Sequence, residues 1–267
     1  MYEEYYGFSQ TPFSKTPDPA FLYLSKGHEE ALARLHYAVE QKELVLLTGE
    51  VGCGKTTITR ALIDSLDDNH RIVLILNPRL TPAQLLRTIA RRLEIDISSK
   101  YKDDLLESIN EKVYDLYEED ITPVIIIDEA QLIPKKETFE EVRLLTNFQL
   151  DDTNLLSLIL VGQPGLKKRL GHKTYRALRQ RIGLFYYLGP LSEAETLEYV
   201  NFRLLVGGRE NSLFTDEALS LVHKYSEGIP RLINSIATTA LLEGLGKELD
   251  NVGAELIDDA AKELMLN

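Results

Sequence analysis

The octapeptide GEVGCGKT, Gly49 to Thr56, follows the apolar run Leu44 to Leu47 and constrains this chain more than any other feature. It satisfies the phosphate-binding pattern G-x-x-x-x-G-K-[ST] at every fixed position, with a strand predicted before it and a helix after it. An ordinary glycine-rich turn would need neither flank. Gly49, Gly52 and Gly54 let the backbone curl until successive N–H groups face one centre, at which the following helix aims its positive end. Glu50, Val51 and Cys53 fill the positions between them. Such a centre suits the polyphosphate of a nucleoside triphosphate. Lys55 reaches its β- and γ-phosphates as a flexible cation, the Thr56 hydroxyl is placed to ligate the accompanying Mg2+, and Thr57 packs or caps. Cys53 is the only cysteine of the chain, and it reads as small filler within the loop. The competing reading is a redox-sensitive brake on nucleotide binding.

The pattern of apolar residues organises the rest. A helix is predicted near Gly27 to Gln41, opened by Ser25, with Ala31, Leu32, Leu35 and Val39 inward. After the glycine-rich loop a helix runs to about Leu66. RIVLIL from Arg71, PVIIID ending at Asp128 and LLSLILV from Leu155 to Val161 read as buried strands. Between them lie helices opened by Thr81 and Pro82, with Leu85, Leu86, Ile89 and Leu93 inward, and from about Asp103 to Tyr117. Strands alternating with helices predict an α/β fold, a parallel sheet covered by helices on both faces. Beyond Pro190 only helical patterns follow, at about Glu193 to Leu205, Asp216 to Tyr225, Pro230 to Leu245 and Ala254 to Leu264. The expected organisation is an arm at residues 1–24, rich in aromatics and prolines, an α/β domain at 25–189 and a small all-helical lid at 190–267. The arm aromatics Tyr5, Tyr6, Phe8, Phe13, Phe21 and Tyr23 are expected to pack on the sheet edge, or to stack on adenine.

IIIDE supplies the other half of a nucleotide site. An Asp at the carboxyl end of a buried strand holds Mg2+ through water, and the next acid orients or deprotonates the attacking water, so Asp128 is assigned to the metal and Glu129 to the base. Charge developing in phosphoryl transfer also needs cations, for which Arg179 and Arg181 in LRQRI and Arg231 in GIPRLIN are candidates. Gln163, after the third of these strands, is placed to contact the γ-phosphate or the attacking water, and Asn77, after RIVLIL, to restrain Glu129. The histidines show neither metal-ligand spacing nor a nucleophile partner and read as structural or surface residues.

At 267 residues, 44% apolar and 27% charged, the chain has the composition of a soluble protein with one large core and a satellite. No apolar run is long enough to span a bilayer, and the acidic, tyrosine-rich start lacks a signal peptide's basic head, so no membrane insertion and a cytoplasmic location are expected. A single cysteine agrees with a reducing compartment. The net charge of −12 repels nucleic acid on average. Against that average, Thr153 to Ser192 holds no Asp or Glu but carries Lys167, Lys168, Arg169, Lys173, Arg176, Arg179 and Arg181. This is a solvated basic face, or a contact for phosphate or a partner.

Together these residues resemble the AAA+ ATPases, and within them the ExeA-like group linked to bacterial general secretion. The likeness runs from the arm YYGFSQTPFSKTPDPAFLYLS through HEEALARL, GEVGCGKTT, IIIDEAQ, LVGQP, LRQRI and GIPRLIN. The resemblance implies that GEVGCGKT is Walker A and IIIDE is Walker B. It places Gln163 at sensor 1, where Asn or Thr is more usual, Arg179 or Arg181 at the arginine finger, and Arg231 at sensor 2. It also implies a homo-oligomer and ATP hydrolysis. Larger members carry a membrane span and a peptidoglycan-binding region after the ATPase, and this chain is expected to stop at the lid. One implied function is an ATPase that drives or regulates an envelope-associated secretion or assembly system. The alternative is a DNA-binding regulator of transposition, and a third is an ATP-binding scaffold without turnover.

Overall fold

The computed structural model describes residues 1–14, 21–96, 101–150 and 153–266. In chain order the elements are α1 (Tyr2–Tyr5), α2 (Lys26–Glu40), β1 (Leu44–Gly49), α3 (Lys55–Ser65), β2 (His70–Ile75), α4 (Pro82–Arg92), α5 (Lys102–Glu118), β3 (Thr122–Ile127), α6 (Lys136–Leu145), β4 (Ser157–Gly162), α7 (Pro164–Leu170), α8 (Arg176–Arg181), β5 (Ile182–Leu188), α9 (Glu193–Val206), α10 (Asp216–Ser226), α11 (Pro230–Gly246) and α12 (Ala254–Glu263). They fall into two compact units. One comprises His28–Gly49 and Ile58–Leu188, the other Met1–Gly27, Glu50–Thr57 and Gly189–Asn267.

The first unit is α/β, with a five-stranded sheet in the order β2-β3-β4-β1-β5 and every pairing parallel. β1 and β4 are buried at all positions, the pattern of inner strands covered on both faces. β2 and β5 form the edges. The segment from Arg71 was expected to be fully buried, but only Val73 and Ile75 of β2 are, because an edge strand has a neighbour on one side only. β5 was not anticipated. Its sequence IGLFYYL alternates between covered and exposed positions and directly follows the basic stretch, so it lacks the continuous apolar run of an inner strand.

α4 shows how local chemistry sets these helices. The Thr81 side chain accepts from the Gln84 N–H while the Gln84 side chain accepts from the Thr81 N–H, and Pro82 occupies the first turn. Leu85, Leu86, Ile89 and Leu93 then line up inward and are 0–1% exposed. Each such side chain contributes about 1.5–3 kcal/mol on burial.

The second unit packs α9 to α12 around Leu204, Val222, Ile236, Ala240 and Ile257, and the aromatics Tyr2, Tyr6, Phe8 and Phe13 complete this core. Phe13 meets Phe214 edge to face at 6.0 Å, and Tyr23 meets Tyr199 at 5.7 Å. The arm aromatics therefore pack on helices, where the sheet edge was expected. Polar anchors reinforce them. Arg203, buried in α9, donates to the carbonyls of Pro12 at 2.5 Å and Ser14 at 3.1 Å, and its guanidinium lies 4.4 Å from the centre of the Phe21 ring. Arg209 donates to the Tyr6 carbonyl at 2.6 Å. Residues 15–20 of the predicted arm lie outside the described residues.

Candidate nucleotide site

The loop that leaves β1 has the shape its glycines allow. Gly52 and Gly54 have φ of +90° and +94°, where a side chain would be strained, and α3 begins at Lys55 directly after them. Lys55 is only 6% exposed and its Nζ donates to the Glu50 carbonyl at 2.8 Å, so the ammonium is folded into the loop. Cys53 is fully buried and its N–H also donates to Glu50. Burial pushes its thiol pKa up, with Lys55 opposing. Val51 and Thr56 are exposed. Arg231, at the start of α11, donates its backbone N–H to the Gly52 carbonyl, and its side chain is exposed. A buried cation inside a left-handed glycine loop at a helix N-terminus is a donor set that fits a phosphate chain.

In the α/β unit the parallel strands bring Gly49, Asp128 and Gln163 to one edge of the sheet, at the carboxyl ends of β1, β3 and β4. Asp128 is 4% exposed. Its N–H donates to the Ile75 carbonyl at 2.9 Å, and its Oδ1 accepts from the Glu129 N–H at 2.7 Å. Glu129 has left-handed backbone angles, φ 51° and ψ 36°, a conformation that costs about 1 kcal/mol or more for a residue with a side chain. Its carboxylate accepts from the Gln131 side chain. Asn77, expected to restrain Glu129, instead accepts from the Arg79 N–H at 3.4 Å. Gln131 takes the place foreseen for Asn77, because a short 3₁₀ turn at Ala130–Leu132 folds it back toward Glu129.

Arg179 and Arg181 are exposed at the other edge. α8 delivers them to the start of β5, which pairs with the start of β1, so within one chain they stand away from the carboxyl ends of the strands. Arg179 donates to the Gly171 carbonyl at 2.9 Å and Arg181 to the Asn147 side chain at 2.9 Å.

Residues 38–170 match the AAA domain family. The chain is also 41% identical over 253 residues to general secretion pathway protein A of Aeromonas hydrophila, a match that covers 92% of this chain and 45% of that protein. The chain belongs to the AAA+ family. It thus spans less than half the length of this curated relative. The fold of this AAA+ chain is similar to that of the Aeropyrum pernix ORC2 protein, solved as ADPNP-ADP complexes, with a TM-score of 0.70 at 20% identity over 96% of this chain and 72% of that one. It is also similar to Drosophila ORC bound to DNA, with a TM-score of 0.67 at 20% identity over 100% and 65% of the two chains.

Sequence patterns overlooked two side chains of this AAA+ chain. Nothing in the pattern after IIIDE singles out Gln131, and Arg169 reads as one more member of the basic stretch. Arg169 is in fact used internally, donating to the Ile133 carbonyl at 2.6 Å while its guanidinium lies 4.9 Å from the Phe139 ring centre. Lys167, Lys168, Lys173, Arg176, Arg179 and Arg181 remain exposed. Among the described residues no helix is long and apolar enough to cross a membrane, and no three His, Cys, Asp or Glu side chains group as a metal site.

Proposed function

We propose that this AAA+ chain binds ATP with Mg2+ and hydrolyses it to ADP and phosphate, acting as a cytoplasmic homo-oligomer that drives or regulates an envelope-associated secretion or assembly system. The observation that carries the ATPase reading is the Lys55 ammonium buried in a loop of left-handed glycines at the start of α3. In this reading Lys55 and the loop N–H groups hold the β- and γ-phosphates, while Thr56 and Asp128 hold the metal. Bound Mg2+ would neutralise charge on the phosphate oxygens. Glu129 takes a proton from the attacking water, and Gln163 contacts that water or the γ-phosphate. Arg231 supplies positive charge from its own chain. The placement of Arg179 and Arg181 favours a role for one of them across a subunit boundary. The link to secretion rests on the identity to general secretion pathway protein A.

Phosphate release by purified protein, alone and with candidate partners across a range of concentrations, tests the reading. Turnover is expected to rise with oligomerisation. Mixing an Arg179→Ala or Arg181→Ala variant with Glu129→Gln protein should restore part of it, since a mixed interface pairs an intact base with an intact arginine. No turnover under any of these conditions would favour a nucleotide-bound scaffold.

A second reading, ATP-dependent binding to duplex DNA in regulating transposition, is favoured by the exposed bases of α7 and α8 in a stretch without carboxylates. The fold shared with ORC bound to DNA agrees with it. It requires binding that appears with ATP and falls steeply with salt. Absent or salt-insensitive binding would sink it.

A further inference from the structure

The Gln131 side chain lies between two elements of the candidate site. Its Nε2 donates to the Glu129 carboxylate, and its Oε1 accepts the backbone N–H of Gln163 at 3.1 Å. The two partners are of opposite kind, a carboxylate that only accepts and an N–H that only donates, so they fix the orientation of the amide. The surroundings are shaped to keep it there. Gly162 ends β4 against it, and a Cβ at that position would come within 2.6 Å of Oε1. The backbone of the Ala130–Leu132 turn is clasped from α7, where Arg169 reaches the carbonyls of Gln131 at 3.4 Å and Ile133 at 2.6 Å.

We propose that Gln131 is a positioning residue, tethering the Glu129 carboxylate to the carboxyl end of β4 so that the base is held in one place relative to Gln163. This inference rests on the hydrolytic reading of Glu129 and names a further residue for that reaction. A carboxylate two residues away on a left-handed turn has several rotamers open to it, and a charge-assisted hydrogen bond from an amide that is itself fixed selects one. The same amide passes any displacement of the β4 end to Glu129. Gln131 touches neither phosphate nor water in this scheme and acts through Glu129.

Two variants separate the halves of the tether. Gln131→Glu keeps an acceptor for the Gln163 N–H but sets a second carboxylate against Glu129. Gln131→Met is of similar length and removes both bonds. Amide hydrogen exchange at Gln163 in nucleotide-free protein should quicken about ten-fold in Gln131→Met, the loss of one hydrogen bond's protection, and stay slow in Gln131→Glu. Both variants should lower kcat by about ten-fold or more while leaving nucleotide Kd within roughly two-fold. A purely structural role would move stability and the two variants together, without this split. Unaltered or raised kcat in either variant, or unchanged Gln163 exchange in Gln131→Met, would overturn the proposal. If the wild-type protein shows no turnover, the hydrolytic reading fails, and the exchange comparison still decides whether the tether exists.

Discussion

The backbone N–H of Arg231 donates to the Gly52 carbonyl at 3.3 Å, and the arginine Cβ stands 2.7 Å from where a side chain on Gly52 would begin. Ile229 crowds the same point at 3.1 Å. Gly52→Ala therefore combines a strained φ with a clash against residues at the start of α11, together costing about 1–3 kcal/mol. The loop should open and the affinity for a fluorescent ATP analogue fall by about ten-fold or more. An unchanged titration would mean that the loop's shape is not what binds.

Lys55→Ala and Glu129→Gln should part ways. Removing the buried ammonium should weaken nucleotide binding by about ten- to a hundred-fold, the worth of charge-assisted bonds to phosphate. Glu129→Gln should bind normally and lose about a hundred-fold or more in turnover, the scale of a missing general base. Calorimetric titration beside a phosphate-release assay measures both, and equal loss of binding would contradict the roles assigned.

Cys53 is fully buried and burial raises its thiol pKa, so at neutral pH it stays protonated and shielded. Labelling by a thiol reagent should be slow in native protein and fast once urea unfolds it. Cys53→Ala should keep nucleotide binding at a stability cost of about 1 kcal/mol. Rapid labelling of folded protein that blocks nucleotide binding would instead support the redox-sensitive brake.

Arg203→Ala should destabilise the helical unit by about 3 kcal/mol, because the Pro12 and Ser14 carbonyls it serves would remain away from water. Arg203→Lys should recover only part of this, since an ammonium cannot fork to both carbonyls while lying on Phe21. Urea unfolding followed by tyrosine fluorescence suits a chain without tryptophan. An unmoved midpoint would show that the arm is held by its aromatics alone.

Burial, with Glu3 adding, pushes the Tyr2 phenol from 10.0 up to about 12. Its folded pKa exceeds its unfolded one, so its contribution to stability is full below pH 10 and is lost as pH rises toward 12. Tyr6 shifts in the same direction, again chiefly through burial. Circular dichroism from pH 9 to 12 should show wild-type stability falling over that window. Tyr2→Phe should flatten part of the fall, and an identical profile would exclude Tyr2 as a source.

The inner strands and the glycine-rich loop were legible in the sequence because each depends on local pattern, a run buried on both faces or a fixed spacing of Gly, Lys and Thr. β5 was hidden because an edge strand needs only alternate apolar positions, which IGLFYYL supplies without a distinctive signature. The arm's aromatics announced burial and not its location, since Phe13 suits a helical core as well as a sheet edge. Asn77 follows RIVLIL in the sequence, and that position at a strand end is what suggests it as a restraint on Glu129. The actual partner, Gln131, follows from a left-handed backbone at Glu129 that no residue type there demands.

The bond from Arg203 to Pro12 joins residues 191 positions apart. A ribosome makes the arm before its anchor, so Tyr2, Tyr6, Phe8 and Phe13 cannot reach these partners until every strand of the sheet has been synthesised. The α/β unit from His28 to Leu188 has all its residues in hand before α9 exists. Docking of the arm therefore waits on the synthesis of α9, which carries its anchor.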